Sequence, residues 1–370
     1  MNYTLLSINN ITLQRLFLRL PKLLYDRKTL MQDAAAERAI LQGTHLLSPD
    51  FAVYPFVVTD GKRPISRALL TVYPGDDEAY FGFFESVNDK AAAKLLFDAV
   101  QEKARKLGIA KLTGPVNASF WIGYRLKTDA FSDTPFTGEP YNPPYYEELF
   151  LENGFAVSDR YISDMYIQIP KDYANKRLER REKQFAEKGV EIRDLDLAHF
   201  DESMGEVWAL LTKLYADFPA FRPMDQARFM TMFSDYRKIV RPEMVKFAYF
   251  EGKMAGFFIC VPDYGNLVYR SMTPWNILAL LRRKNAPKRY VLLYLGADPE
   301  FLGLGALLTY RVILELRKNG AAPIGALIHE GKVTQNYARD LLKGTHAYAL
   351  YSRELSHSGT GTRRLNSPEN

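Results

Sequence analysis

A single cysteine in 370 residues, Cys260, excludes disulfides and cysteine-built metal centres within one chain. It lies in a strand-like apolar run, residues 256–261, where core packing is its expected role. The five histidines (His45, His199, His329, His346, His357) show neither His-x-x-x-His nor His-Glu-x-x-His spacing, so no catalytic zinc and no other metal is expected. No apolar run approaches the roughly 20 residues that cross a bilayer, and residues 1–20 lack the basic start and continuous apolar stretch of a secretory signal. A soluble, cytoplasmic protein is the expectation. There is no Gly-x-Ser-x-Gly elbow and no cysteine at a helix start, so nothing indicates a nucleophilic side chain. Charge of one sign is scarce as well: 49 Lys and Arg against 43 Asp and Glu leave +6, too little to imply nucleic acid. Basic clusters at residues 176–183 (KRLERREK) and at Arg282, Arg283, Lys284, Lys288 and Arg289 read as solvated faces.

What is present is a chain long enough for two cores, and one turn of special interest. Residues 292–310, LLYLGADPEFLGLGALLTY, join an apolar strand to a helix through glycines. Gly303 and Gly305 let a phosphate approach the backbone, and the unpaired amides of the next helix's first turn face it with the helix dipole behind them. A plain tight turn is the alternative. A nucleotide-triphosphate loop is disfavoured because Ala306 and Leu307 stand where Lys-Ser or Lys-Thr belongs, and the dinucleotide fingerprint lacks its third glycine at Leu308.

The order of elements repeats. In the first half, residues 51–73 read as a hairpin with Asp60, Gly61 and Lys62 at its tip; residues 80–85 (YFGFFE) form a strand, and Asn88 caps a helix ending at Gly108. A strand follows near residues 111–115, then a loop over 117–144, then a helix over 143–153 capped by Asn142 and stopped at Gly154. In the second half the hairpin spans 247–261 with its tip at Glu251, Gly252 and Lys253. A strand over 290–296, a helix over 304–318, a strand over 323–329 and a helix over 334–343 complete the match. An amphipathic helix broken at Pro21 is expected over 12–25, and a charged connector helix over 172–188 with a Glu179–Lys183 pair. Residues 356–370 are polar and aperiodic, so a disordered tail is expected.

Strand, glycine turn, long helix, strand, helix and final strand, occurring twice, resemble a tandem GNAT protein with two fused N-acyltransferase domains. The superfamily's cofactor loop runs Gln or Arg, two residues, Gly, any residue, Gly or Ala. Glu300, Phe301, Leu302, Gly303, Leu304 and Gly305 fill it, with Glu300 departing from the pattern. The first half carries Val87, Asn88, Asp89 and Lys90 there, but keeps residues 149–155 (LFLENGF), similar to the superfamily's Leu-Tyr-Glu-Lys-x-Gly-Phe. Residues 17–25, 81–85, 114–119 (GPVNAS) and 140–146 (PYNPPYY) resemble a bacterial family of tandem GNAT-like proteins. The resemblance covers most of 12–355. It implies an α/β, α+β-like fold of two domains, each a mixed, mostly antiparallel sheet flanked by helices: 1–165 without a glycine loop, a connector at 166–189, and 190–355 with the loop.

The resemblance also implies coenzyme A or acyl-CoA as co-substrate, held by Leu295, Gly296, Glu300, Leu302, Gly303, Leu304, Gly305 and Ala306. Asn336 matches the Asn that often opens the next helix, whereas Lys343 stands at the place of a proton-donating Tyr. The thioester's pantetheine arm would pair with the strand over 290–296, whose amide polarises the carbonyl. Glu85, ending an apolar strand where burial raises its pKa, is the leading general base; a structural salt bridge is the alternative. Asn117, Ser119, Asn142 and Tyr145 could position the acceptor, or serve as caps and turns. Tyr351 and Tyr348, on the last strand, or His329 and Glu330 could protonate the thiolate; packing is the other role. The expected activity is transfer of an acyl group, up to a long chain, to a primary amine such as an aminolipid or sphingoid-type base. The 13% aromatic content and residues 275–281 beside the second basic cluster could line a tunnel or rest on a membrane. A tRNA-dependent aminoacyltransferase of tandem GNAT type and a catalytically silent CoA- or lipid-binding protein are the alternatives.

Overall fold

The computed structural model describes residues 2–331 and 339–355. In the first half, β1 (Tyr3–Leu6) precedes helices α1 (Ile11–Arg19), α2 (Pro21–Leu24) and α3 (Ala34–Leu41). Strands β2 (Ala52–Asp60), β3 (Arg63–Val72) and β4 (Glu78–Ser86) then lead into α4 (Lys90–Lys106). Next come β5 (Lys111–Gly114), β6 (Leu126–Lys127), α5 (Tyr146–Glu152) and β7 (Ala156–Tyr166). Helix α6 (Lys176–Glu187) leads into β8 (Val190–Asp194), α7 (Phe200–Leu214), α8 (Gln226–Phe233) and α9 (Tyr236–Ile239). The hairpin of β9 (Val245–Phe250) and β10 (Lys253–Pro262) is followed by α10 (Pro274–Asn285) and β11 (Arg289–Ala297). Helix α11 (Leu304–Asn319), β12 (Ala322–His329) and β13 (Leu342–Glu354) complete the chain.

All the strands join one sheet in the order β1-β2-β3-β4-β5-β13-β7-β12-β11-β10-β9-β8, with β6 against β13. This order reads the same from both ends once β1 to β5 are matched with β8 to β12, and β7 with β13. The duplication read in the sequence is therefore a pseudo-twofold architecture. Each half lends its last strand to the other: β7 pairs with β12, and β13 pairs with β5. Pairing is antiparallel except between β4 and β5 and between β11 and β12, the two strand pairs joined by the long helices.

Period-2 alternation assigns the faces. Phe56, Val58, Ala68 and Leu70 pack under α4, while Val57 and Leu69 point the other way, into a core shared with Leu13 and Phe17 of α1 and Met204 and Val207 of α7. Helix α11 buries Leu304, Leu307, Leu308, Val312 and Leu316, each contributing about 1.5–3 kcal/mol. Its cap is Gly303 at φ 90°, a left-handed conformation that needs glycine.

Several local expectations are corrected. The cap of α4 is Asp89 rather than Asn88, because the Asp89 carboxylate is the group that accepts from the Ala92 amide (3.0 Å). Asn142 does not cap α5, which starts at Tyr146; its side chain instead accepts from the Lys127 amide at 2.7 Å and donates to the Lys127 carbonyl at 3.1 Å. Glu179 accepts from the Tyr310 hydroxyl (3.1 Å) instead of pairing with Lys183. Lys343 stands on β13, so no helix continues through it; the start of that expected helix, Asn336 and the 356–370 tail lie outside the described residues.

The two parallel pairs differ in what happens past their last paired residues. Strands β4 and β5 pair through Tyr80 and Thr113, after which the chain at 115–117 fills the gap. The Val116 amide donates to the Phe81 carbonyl (3.0 Å), and the Asn117 side chain accepts from the Phe83 amide (2.7 Å). A Cβ on Gly82 would lie 1.9 Å from the Val116 carbonyl oxygen. Gly82→Ala is therefore expected to destabilise the chain by more than about 3 kcal/mol, since backbone rather than a movable side chain must give way. Denaturant unfolding checks this. Strands β11 and β12 pair only through Leu292 and Gly325, and beyond them lies a cavity.

Candidate active site

The cavity measures about 870 Å³, near the top of the roughly 300–1,000 Å³ range of small-molecule sites. It begins in the gap between the strands, lined by residues 293–297 of β11 and 326–329 of β12. It continues between the halves past Phe120, Trp121, Tyr124, Tyr215, Phe218 and Tyr236 to Tyr25, Gln32, Arg67, Glu85 and Tyr146 of the first half. One space thus joins the second half's strand gap to a polar group in the first half. Phe83, Arg125 and Leu327 line it with left-handed backbone (φ 49°, 88° and 55°), which side chains other than glycine disfavour; such strain gathers at functional sites.

Gly303 caps α11, whose Thr309 and Ile313 further along the helix line the cavity. The Gly303 cap offers no side-chain acceptor; the Leu304 amide donates to the Phe301 carbonyl (2.9 Å), which leaves the amides of Gly305 and Ala306 as the donors for an anion among the described residues. A Cβ on Gly303 would lie 2.5 Å from Nη1 of Arg181, so the guanidinium of α6 covers the turn. Glu300 and Leu302 are exposed, whereas Leu304 is fully buried in the core with its amide donating to the Phe301 carbonyl (2.9 Å), so it offers a ligand neither side chain nor amide. Gly305 and Ala306 lie in the first turn, and Leu295 and Gly296 line the cavity. A pyrophosphate over the turn with its arm in the gap fits these features. Arg181 is a residue that the sequence does not single out, since 176–183 reads as a solvated face. Its only signal was an Arg-rich run on a helix whose position relative to the turn depends on the tertiary fold.

Glu85 lies at the far end of the cavity, 4% exposed. Its carboxylate accepts from Tyr25 (2.6 Å), Tyr146 (2.7 Å) and Gln32 (2.7 Å), with Arg67 at 3.8 Å. Burial pushes its pKa up to about 7, against the opposing pull of Arg67 and the two tyrosines. Arg67 is itself paired with Glu37 at 2.7 Å and donates to the Phe17 carbonyl, which limits what it gives Glu85. Among the described residues the Gln32 side-chain oxygen is buried without a hydrogen-bond partner, and Gln32 lines the same space. A carboxylate half-ionised near neutrality beside a free acceptor oxygen can take a proton from an ammonium and hold its remaining N–H bonds.

The other candidates scatter. Asn117 and Asn142 line the cavity, but their amides are occupied by backbone. Tyr145 donates to the Ser86 carbonyl (2.8 Å) outside the cavity lining, and its neighbour Tyr146 makes the contact with Glu85. Tyr351 is buried against Phe150 and donates to Glu147 (2.7 Å), away from the cavity. Tyr348 donates to Glu139 (2.6 Å), which also bonds Lys127 and His346 in a buried ionic group at the cavity wall. His329 lines the gap and meets Asp159 at 3.2 Å. Among the described residues no group of three His, Cys, Asp or Glu is placed to hold a metal, and no helix is long and apolar enough to cross a membrane.

No protein-family model matches the chain. Among curated proteins it is similar to a bacterial ceramide synthase of Caulobacter vibrioides, 24% identical over 223 residues, covering 58% of this chain and 57% of that protein. It is also similar to protein YghO of Escherichia coli, 20% identical over 194 residues, covering 52% and 49%. The chain therefore spans about half the length of these relatives. Among solved structures it is similar to a tandem GNAT protein from the clavulanic acid biosynthesis pathway (TM-score 0.54, 13% identical, 97% of this chain and 100% of that one). A second is a GCN5-related glucosamine N-acetyltransferase region of a fungal β-N-acetylglucosaminidase (TM-score 0.56, 13% identical, 95% and 38%). With a palindromic sheet, one open strand gap and these neighbours along nearly its whole length, the chain has the tandem GNAT fold.

Proposed function

We propose that the chain is an acyl-CoA-dependent N-acyltransferase that moves a long acyl chain onto the primary amine of a lipid-like, sphingoid-type base. The observation that carries this reading is the single cavity joining the β11–β12 gap to Glu85. The ceramide synthase relative, named for a product with an amide-linked acyl chain, supports the same substrate class.

In this reading the first turn of α11 and Arg181 hold the pyrophosphate, and the pantetheine arm lies along β11 past Leu292, where the strand has no partner in β12. An unpaired β11 amide polarises the thioester carbonyl. Glu85 takes a proton from the acceptor ammonium while Gln32 orients it, and the neutral amine attacks. The C–S bond breaks as the C–N bond forms, the thiolate takes up a proton, and one proton leaves per turnover. The aromatic walls exclude water and accommodate the acyl chain.

Incubation with palmitoyl-CoA and a sphingoid base, read by thiol release and by the mass of the amide, tests this. Equal yields of thiol and amide are expected. CoA binding without thiol release across a panel of amines would mark a silent binding protein, and transfer only from charged tRNA would overturn the donor assignment.

A further inference from the structure

Helix α10 has no buried residue on any face. Thr273 caps it by accepting from the Asn276 amide (3.3 Å) and Pro274 starts it, so it is a well-specified helix. Yet Trp275 is 80% exposed, and Ile277, Leu278 and Leu281 are exposed with it, as is the preceding Met272. At 100° per residue these four helical side chains share roughly one half of the helix surface. Soluble surfaces rarely leave such a contiguous apolar stripe uncovered.

Beside the stripe stands a group of cations without acidic partners. Arg282, Arg283 and Lys284 fill the last turn of α10, and Arg27 and Arg270 lie alongside. None of the five forms an ion pair with a carboxylate among the described residues; Lys284 and Arg270 donate to backbone carbonyls (both 2.6 Å). Partial burial lowers the pKa of Arg270, and Arg27 and Arg283 add to this as like charges. A cluster of uncompensated cations is a cost in the free chain that an anionic surface removes.

The position of the helix also matters. Val268 and Tyr269, just before it, line the cavity, as do Met31, Gln32 and Asp33. The Asn266 side-chain Nδ2 donates to the Arg27 and Leu30 carbonyls (2.8 and 2.9 Å), clamping these two stretches together beside the cavity.

We propose that α10 is an interfacial helix that seats the chain on an anionic lipid bilayer, with Trp275, Leu278 and Leu281 in the acyl-headgroup boundary and the flanking cations on the headgroups. A long-chain amine then reaches the cavity beside the helix without crossing water; this last step rests on the function proposed above, whereas the binding itself does not.

Flotation of the full chain with phosphatidylglycerol–phosphatidylcholine vesicles, with pure phosphatidylcholine vesicles as control, tests it without turnover. The chain floats with the anionic vesicles and is released by salt. Trp275→Ser/Leu278→Ser/Leu281→Ser abolishes flotation while leaving the melting temperature and turnover of a water-soluble amine unchanged. Arg282→Gln/Lys284→Gln weakens partitioning on the order of tenfold. Equal recovery with and without anionic lipid, or no effect of the triple variant, would overturn the proposal. So would a dimer in lipid-free sedimentation velocity that the triple variant dissociates, since a second copy would then cover the stripe.

Discussion

Glu85→Gln loses acyl transfer by about 10²–10⁴-fold, the range a positioned general base contributes, while palmitoyl-CoA binding is retained. The amide keeps the shape and the hydrogen bonds to Tyr25 and Tyr146 but cannot take a proton. In the unaltered chain the rate rises with pH through about 7 as the carboxylate ionises, and this limb disappears in the variant. The same substitution stabilises the fold. Glu85 has a folded pKa raised above its ordinary value of 4.5, so between pH 4.5 and 7 the folded state binds more protons than the unfolded state. Stability attributable to this group therefore falls as pH rises across that window. Above pH 7 the variant is expected to be more stable by about 3 kcal/mol, and below pH 4.5 the difference closes. Paired denaturation profiles from pH 4.5 to 8 read this directly. A variant that is inactive but less stable at pH 8 would mark Glu85 as a structural partner of Arg67 instead.

Gly303→Trp raises the apparent KM for acyl-CoA by about 10²-fold or more, as expected when two charge-assisted backbone contacts worth about 1.5–3 kcal/mol each are lost together. Two effects combine. Gly303 sits at φ 90°, where any side chain is strained, and its Cβ direction points at the Arg181 guanidinium, which must swing away. Arg181→Gln leaves the turn intact and weakens binding less, on the order of tenfold, with a reduced dependence on salt. If Gly303→Trp left KM unchanged, the glycine turn would be a plain helix start.

Much of the architecture was legible because it rests on local periodicity. The hairpin tips at Gly61 and Gly252 and helix α11 from Leu304 follow from alternation, glycine placement and caps. Their order alone revealed the duplication. The exchange of β7 and β13 was not legible, since strand neighbours separated by most of the chain leave no local signal. The filled gap of the first half follows from Gly82, but a glycine inside a strand does not say what approaches it.

At the site, Glu85 was legible as a carboxylate ending an apolar strand. Its partners were not: Gln32 lies in a segment read as neither helix nor strand, and Arg67, a charged residue in an apolar strand, is buried on the α1 side of β3, where it meets Glu37 of α3. The sequence marks Tyr145, whereas it is Tyr146, the first residue of α5, whose hydroxyl meets Glu85. Arg181 was hidden, its helix having looked fully solvated.

The account centres on one acyl-CoA site per chain, in the second half, continuous with an apolar cavity. Calorimetric titration with CoA and palmitoyl-CoA tests this most directly. One ligand per chain is expected, with palmitoyl-CoA bound more tightly than CoA and both lost in Gly303→Trp. Two ligands per chain, no binding of either, or binding unaltered by that substitution would contradict it.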